Sequence, residues 1–84
     1  MDTDAPRELA RLRWRCRRGL RELDVLLLRY LDRRWAGAST GEREAFARLI
    51  DLQDPELFGY LVRRAEPAED TLRAVIDAIR QLAP

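Results

Sequence analysis

Residues 14–24 read Trp-Arg-Cys-Arg-Arg-Gly-Leu-Arg-Glu-Leu-Asp, which crowds an aromatic ring, four arginines, one glycine and two acids into a short run. An ordinary surface helix prefers a smoother alternation of polar and apolar positions, so this segment points to a use beyond folding. Its centre is Arg18-Gly19-x-x-Glu22. A guanidinium donates directed hydrogen bonds, a carboxylate accepts them, and a glycine between them lets another backbone come close. That is the chemistry of recognition. The chain has no histidine and one cysteine, Cys16. Those absences remove the usual zinc ligand sets, histidine acid–base relays and an intrachain disulfide framework.

The elements that position this run must come from a chain of 84 residues, enough for one small hydrophobic core, so a single domain spanning 1–84 is expected. All sixteen basic residues are arginine, and lysine and asparagine are absent. With so many alanines and leucines this reads as a codon-level bias, and individual arginines are discounted accordingly. The net charge is +1. The chain as a whole is therefore no polyanion binder, although Arg7, Arg11, Arg13, Arg15, Arg17, Arg18 and Arg21 tilt the first quarter positive. No apolar stretch approaches the ~20 residues of a membrane span, and Met1-Asp2-Thr3-Asp4 is acidic where a secretory signal starts basic. A soluble protein of the reducing cytoplasm, without membrane insertion, is the expectation.

Hydrophobic spacing predicts helices and turns and no strand. Leu9, Leu12 and Cys16 share one stripe of a first helix over about Asp4 to Arg18, with Asp4 or Thr3 as its cap and Gly19 as the residue that stops it. Leu20 to about Trp35 forms a second helix. Leu23, Val25, Leu26, Leu27, Leu28, Tyr30 and Leu31 cover so much of it that it is expected to be the buried central element. Ser39-Thr40-Gly41-Glu42 is a capping box opening a third helix with Ala45, Phe46, Leu49 and Ile50 inward. Asp54-Pro55-Glu56 starts a fourth, capped by Asp54, with Leu57, Phe58, Leu61 and Val62 as core. After Pro67, Leu72, Val75, Ile76, Ile79 and Leu82 keep helical spacing. The expected fold is all-α, a compact five-helix bundle.

Arg17-Arg18-Gly19-Leu20-Arg21-Glu22-Leu23-Asp24, followed about thirty residues later by Asp54-Pro55-Glu56-Leu57-Phe58-Gly59-Tyr60-Leu61, resembles the succinate dehydrogenase assembly factors, the small flavinylation factors or flavinators. The similarity covers about Leu12 to Arg64. Two blocks in order and at the right separation are far more specific than a lone Arg-Gly-x-x-Glu. Residues 1–10 and 66–84 match only in helical character, and Tyr60 stands where such proteins often carry tryptophan. The resemblance implies five helices and a chaperone, not an enzyme. It implies binding to the flavoprotein subunit of succinate dehydrogenase, in some bacteria of fumarate reductase, and promotion of covalent FAD attachment to it. It places Arg18, Gly19 and Glu22 in the partner-binding motif; Arg17, Trp14, Asp24 and Tyr60 are further candidate contacts. No glycine-rich strand–turn–helix for a dinucleotide is present, so FAD is expected in the partner and no cofactor is expected on this chain.

Each of these residues also has a plainer role. Gly19 could be only a helix C-cap, Glu22 an acid suited to a first helical turn, and Arg18 a charge at a helix end or in a solvated pair. Trp14 lies off the Leu9-Leu12-Cys16 stripe, as either core edge or exposed anchor, while Cys16 lies on it and is expected buried. Two other functions compete: a toxin-neutralising or generic protein-interaction module, and a basic helical nucleic-acid binder. Near-neutral charge and the greasy second helix weigh against the latter, and no nucleic acid is expected as partner.

Overall fold

A computed structural model describes residues 5–82 of the chain. Five α-helices make up the architecture, and no strand occurs among the described residues. They are α1 (Ala5–Arg15), α2 (Arg21–Arg33), α3 (Thr40–Leu49), α4 (Asp54–Leu61) and α5 (Asp70–Gln81), with a single 3-10 turn, Trp35–Gly37, after α2. The predicted all-α bundle is the fold. Helix α5 lies against α2, α3 and α4, and α1 packs on α2.

The core follows from helical periodicity. Leu12 and Cys16, Leu23, Leu27, Tyr30 and Leu31, then Ala45, Phe46 and Leu49 are buried, and Leu57, Leu61, Val75, Ile76 and Ile79 complete the cluster. Tyr30 and Phe46 stack with ring centroids 4.4 Å apart, an arrangement that adds about 0.5–1.5 kcal/mol beyond area burial. The Tyr30 hydroxyl donates to Glu42 at 2.6 Å, so its polar end is satisfied inside the bundle. Trp35 is buried by the 3-10 turn, and the Arg43 guanidinium lies 3.9 Å from its ring centroid.

Several boundaries and faces differ from the expectation, each for a physical reason. Helix α1 ends at Arg15, three residues before the predicted stop, because Arg18 is drawn out of the helix by partners elsewhere. Its predicted caps, Thr3 and Asp4, lie outside the described residues. Helix α2 is not buried all round: Leu23, Leu27, Tyr30 and Leu31 face inward, whereas Val25 is 43 % exposed and Leu26 and Leu28 are half-buried. The elements packed on α2 are α1, α5 and the 3-10 turn, and Val25 lies on the side of the helix away from its inward stripe. Only half of the capping box forms. Ser39 Oγ accepts from the Glu42 amide at 3.1 Å, but the Glu42 carboxylate turns to Tyr30 and Arg34 instead of the Ser39 amide. Gln53, not Asp54, is the N-cap of α4, since Asp54 pairs with Arg18. Val62 is exposed because α4 ends at Leu61, and there the chain reverses at Arg63.

Candidate functional site

The site is the corner between α1 and α2. Beyond Arg15 the helix closes in a tight turn, the Cys16 amide reaching the Leu12 carbonyl at 3.0 Å and the Arg17 amide the Trp14 carbonyl at 3.2 Å. Cys16 is fully buried and anchors the turn, and burial pushes its thiol up to about 12, which leaves it protonated and inert at neutral pH. Gly19 follows at φ +81°. It stands four residues past the last residue of α1, so it is not that helix's C-cap. A Cβ built on Gly19 would meet nothing within 4 Å. Internal packing therefore leaves the position open, and only the left-handed backbone and whatever approaches from outside favour glycine.

Arg18 points inward. Its Nη1 donates to the Ile50 carbonyl at 2.8 Å, its Nη2 to the Leu52 carbonyl and its Nε to the Asp54 carboxylate. Its backbone amide donates to Asp24 Oδ1 at 2.8 Å. The side chain is only 13 % exposed. Ile50 and Leu52 lie just past the last turn of α3, where a positive charge suits the helix dipole, and Asp54 opens α4, where a negative one does. The structure thus brings together Arg18, Asp24 and Asp54, the last of which sequence reading saw only as a cap. Its signal was present, because Asp54 heads the second sequence block. Nothing in the residue order says that the two blocks touch.

The rest of the motif faces out. Arg17, Gly19, Leu20, Arg21 and Glu22 are exposed, and among the described residues no partner holds the Glu22 carboxylate. Glu22 and Arg21 line a shallow groove with Val25 and Leu26. Trp14 is 74 % exposed and so not a core edge, above a second hollow formed with Leu9, Ala10, Arg13 and Arg17. Leu20, 47 % exposed, and Val25, which its apolar neighbours had suggested was core, add apolar surface. The overlooked signal is spacing: the stripe 23, 27, 30 and 31 leaves position 25 on the opposite side of the helix. Asp24 is half-buried and turned to Arg18. Tyr60 lies on α4, where its hydroxyl donates to Glu56 at 3.3 Å and its carbonyl accepts from Arg80. Its polar contacts do not reach the corner.

The local positive charge is partly neutralised by folding. Arg13 pairs with Asp32 at 2.6 Å, Arg15 with Asp51 and Arg18 with Asp54, so acids from α2, the α3–α4 turn and the start of α4 answer three of the seven leading arginines. No helix among the described residues is long and apolar enough to cross a membrane.

This combination of an inward arginine, an open glycine and a free glutamate sits in a sequence that matches the family model Sdh5, flavinator of succinate dehydrogenase, over residues 10–83. The chain belongs to that family. The match extends beyond Arg64 through α5, further than the two sequence blocks alone indicated. Among curated relatives, a protein of Xylella fastidiosa (strain 9a5c) called FAD assembly factor SdhE is 47 % identical over 79 residues, covering 94 % of this chain and 81 % of the relative. A protein of the same name from Yersinia pseudotuberculosis is 37 % identical over 84 % of this chain and 81 % of its own length. Another from Coxiella burnetii is 36 % identical over 87 % of this chain and 89 % of its own. Flavinator family members thus share this chain over nearly all of its described helices.

Proposed function

We propose that this chain is an assembly factor that binds the flavoprotein subunit of succinate dehydrogenase and promotes covalent attachment of FAD to it. One observation carries the reading. In a chain of the flavinator family, the α1–α2 corner offers a backbone without a side chain at Gly19, open space outside it, and the unpartnered Glu22 carboxylate one helical turn on. Exposed Trp14 and Leu20 supply the apolar anchors that binding surfaces concentrate near their centres.

Attachment of the flavin needs a nucleophilic histidine held against the reactive ring carbon while negative charge builds on the flavin, so orientation and local electrostatics govern the rate. This chain has no histidine to offer. The nucleophile and the FAD accordingly belong to the client, and the corner acts from outside by ordering the client's site. The protein is a chaperone and not an enzyme. It works in the bacterial cytoplasm, where the flavoprotein is made, and the flavoprotein subunit of fumarate reductase is a second client of the same chemistry. Nucleic acid is not a partner, since folding commits three of the clustered arginines to acids. A helper that must release its client fits micromolar affinity, about 8 kcal/mol.

The test is coexpression of the flavoprotein subunit with this chain, read as flavin fluorescence of the denatured subunit in a gel. The wild-type chain raises that fluorescence, and Glu22→Ala or Gly19→Arg, folded by circular dichroism, does not. Equal fluorescence with the variants rejects the corner as the docking site.

A further inference from the structure

We propose that Arg18 serves the docking corner from within, as a positioning residue that latches the corner to the α3–α4 turn through Asp54 and so presents Gly19 and Glu22 in one geometry. The proposal rests on the docking role assigned above to Gly19 and Glu22. All three guanidinium nitrogens of Arg18 are engaged inside the molecule, by Asp54 and by the carbonyls of Ile50 and Leu52. Little is left to present to a client.

The segment it holds needs holding. Residues 17–20 lie between helices, and Gly19 is intrinsically the least restrained residue type. Arg18 is tethered twice, its side chain sideways to the α3–α4 turn and its amide forward to Asp24 in the first turn of α2. Gly19 is thereby fixed between that double anchor and the start of α2. A recognition loop that is already ordered spares the complex the ordering entropy of binding. The latch also accounts for the two blocks of sequence. Arg18 of the first and Asp54 of the second are 36 positions apart and form one contact. Lysine could not replace the arginine, because one ammonium on a flexible stem does not reproduce a planar fork reaching three acceptors.

The experiment uses the full chain and the purified flavoprotein subunit, with Asp54→Ala, Asp54→Asn, Arg18→Lys, Arg18→Ala and the double alanine variant. Two quantities are measured: client dissociation constant, and hydrogen exchange of the Arg18 and Asp24 backbone amides against those of α5 in the same sample. Asp54→Ala removes no group of the exposed corner, yet it is expected to weaken client binding about 10- to 100-fold, the scale of a misplaced contact. It is also expected to speed exchange at Arg18 and Asp24 while α5 stays unchanged. Asp54→Asn keeps the accepting oxygen and should stay within roughly threefold of wild type. Arg18→Lys should fall between wild type and Arg18→Ala. The double variant should bind no worse than Arg18→Ala, because the two side chains act through one contact. Unchanged binding by Asp54→Ala, or additive losses in the double variant, overturns the latch. Failure of the docking reading is separate: then Glu22→Ala binds normally, while faster Arg18 amide exchange in Asp54→Ala still reports a latch.

Discussion

Among the described residues the chain reverses twice through a left-handed residue, at Gly19 between α1 and α2 and at Arg63 after α4, and the two corners are built on different principles. After α4 the Arg64 amide bonds to the Gly59 carbonyl at 2.9 Å and the Arg63 amide to the Tyr60 carbonyl at 3.3 Å. That is the paired closing pattern of a Schellman motif, and it holds an arginine at φ 66° despite a conformational cost of about 1–2 kcal/mol. At the first corner the backbone bonds stop at Arg17, and the side chains of Arg18, Asp24 and Asp54 do the fixing. Positive φ alone does not oblige this chain to use glycine. Gly19 is distinguished by the empty space outside it and by the free acid, tryptophan and leucine around it. One corner closes a helix with its own backbone; the other is held by side chains and left open on its outer side.

Variants at four positions can break or sharpen that contrast. The largest effect is expected from Gly19→Arg, which fills the open approach: client affinity should drop about 100-fold, while stability in chemical denaturation falls only by the ~1–2 kcal/mol of a left-handed non-glycine residue. Loss of the fold would instead make this corner structural, like the other. Next comes Glu42→Ala, a control that touches neither corner. It leaves the buried Tyr30 hydroxyl without its acceptor and should cost about 1–3 kcal/mol with client affinity unaltered. The Glu42 carboxyl is held below its ordinary 4.5 by its hydrogen bond from Arg34, helped by Tyr30 and opposed by burial. Because the folded value is depressed, its contribution is complete above about 4.5 and is lost as pH falls through the folded value. Acid unfolding curves of Glu42→Gln should accordingly be flatter below about pH 4.5 than those of the wild type.

Trp14→Ala comes third. An exposed indole contributes within about 0.5 kcal/mol to the fold, but as an anchor its loss should weaken client binding roughly tenfold, measurable by titration calorimetry. Stability loss without binding loss would return Trp14 to the core edge. The smallest effect belongs to the second corner: Arg63→Gly should raise stability by about 0.5–1 kcal/mol, seen as a later thermal midpoint, and leave the client's flavin fluorescence unchanged. A change in flavinylation there would erase the distinction between the two corners.

Periodicity made most of the fold legible. The Leu9-Leu12-Cys16 stripe, the inward set of α3, the proline start of α4 and the last apolar series each announce a helix because local hydrogen bonding and a 3.6-residue repeat act over short stretches. Composition was equally plain: no histidine, one cysteine and an Arg-Gly-x-x-Glu core. Where reading from residue order went astray, a distant group had intervened. Val25 is as apolar as its neighbours, and the packing of the other helices chose the stripe 23, 27, 30 and 31, which leaves it in solvent. Glu42 suits a capping box, yet Tyr30 and Arg34 offer its carboxylate better partners. Asp54 suits an N-cap, yet a guanidinium 36 positions earlier in the chain claims it.

Residue order by itself determined the helices, the capping serine and most of the core stripes, since all of these depend on neighbours within a few turns. The tertiary structure alone decided that Arg18 faces inward while Gly19 and Glu22 face outward. Direction is a property of what lies across the bundle: the carbonyls of Ile50 and Leu52 and the Asp54 carboxylate become available to a guanidinium only once α3 and α4 have packed, and no local pattern encodes them.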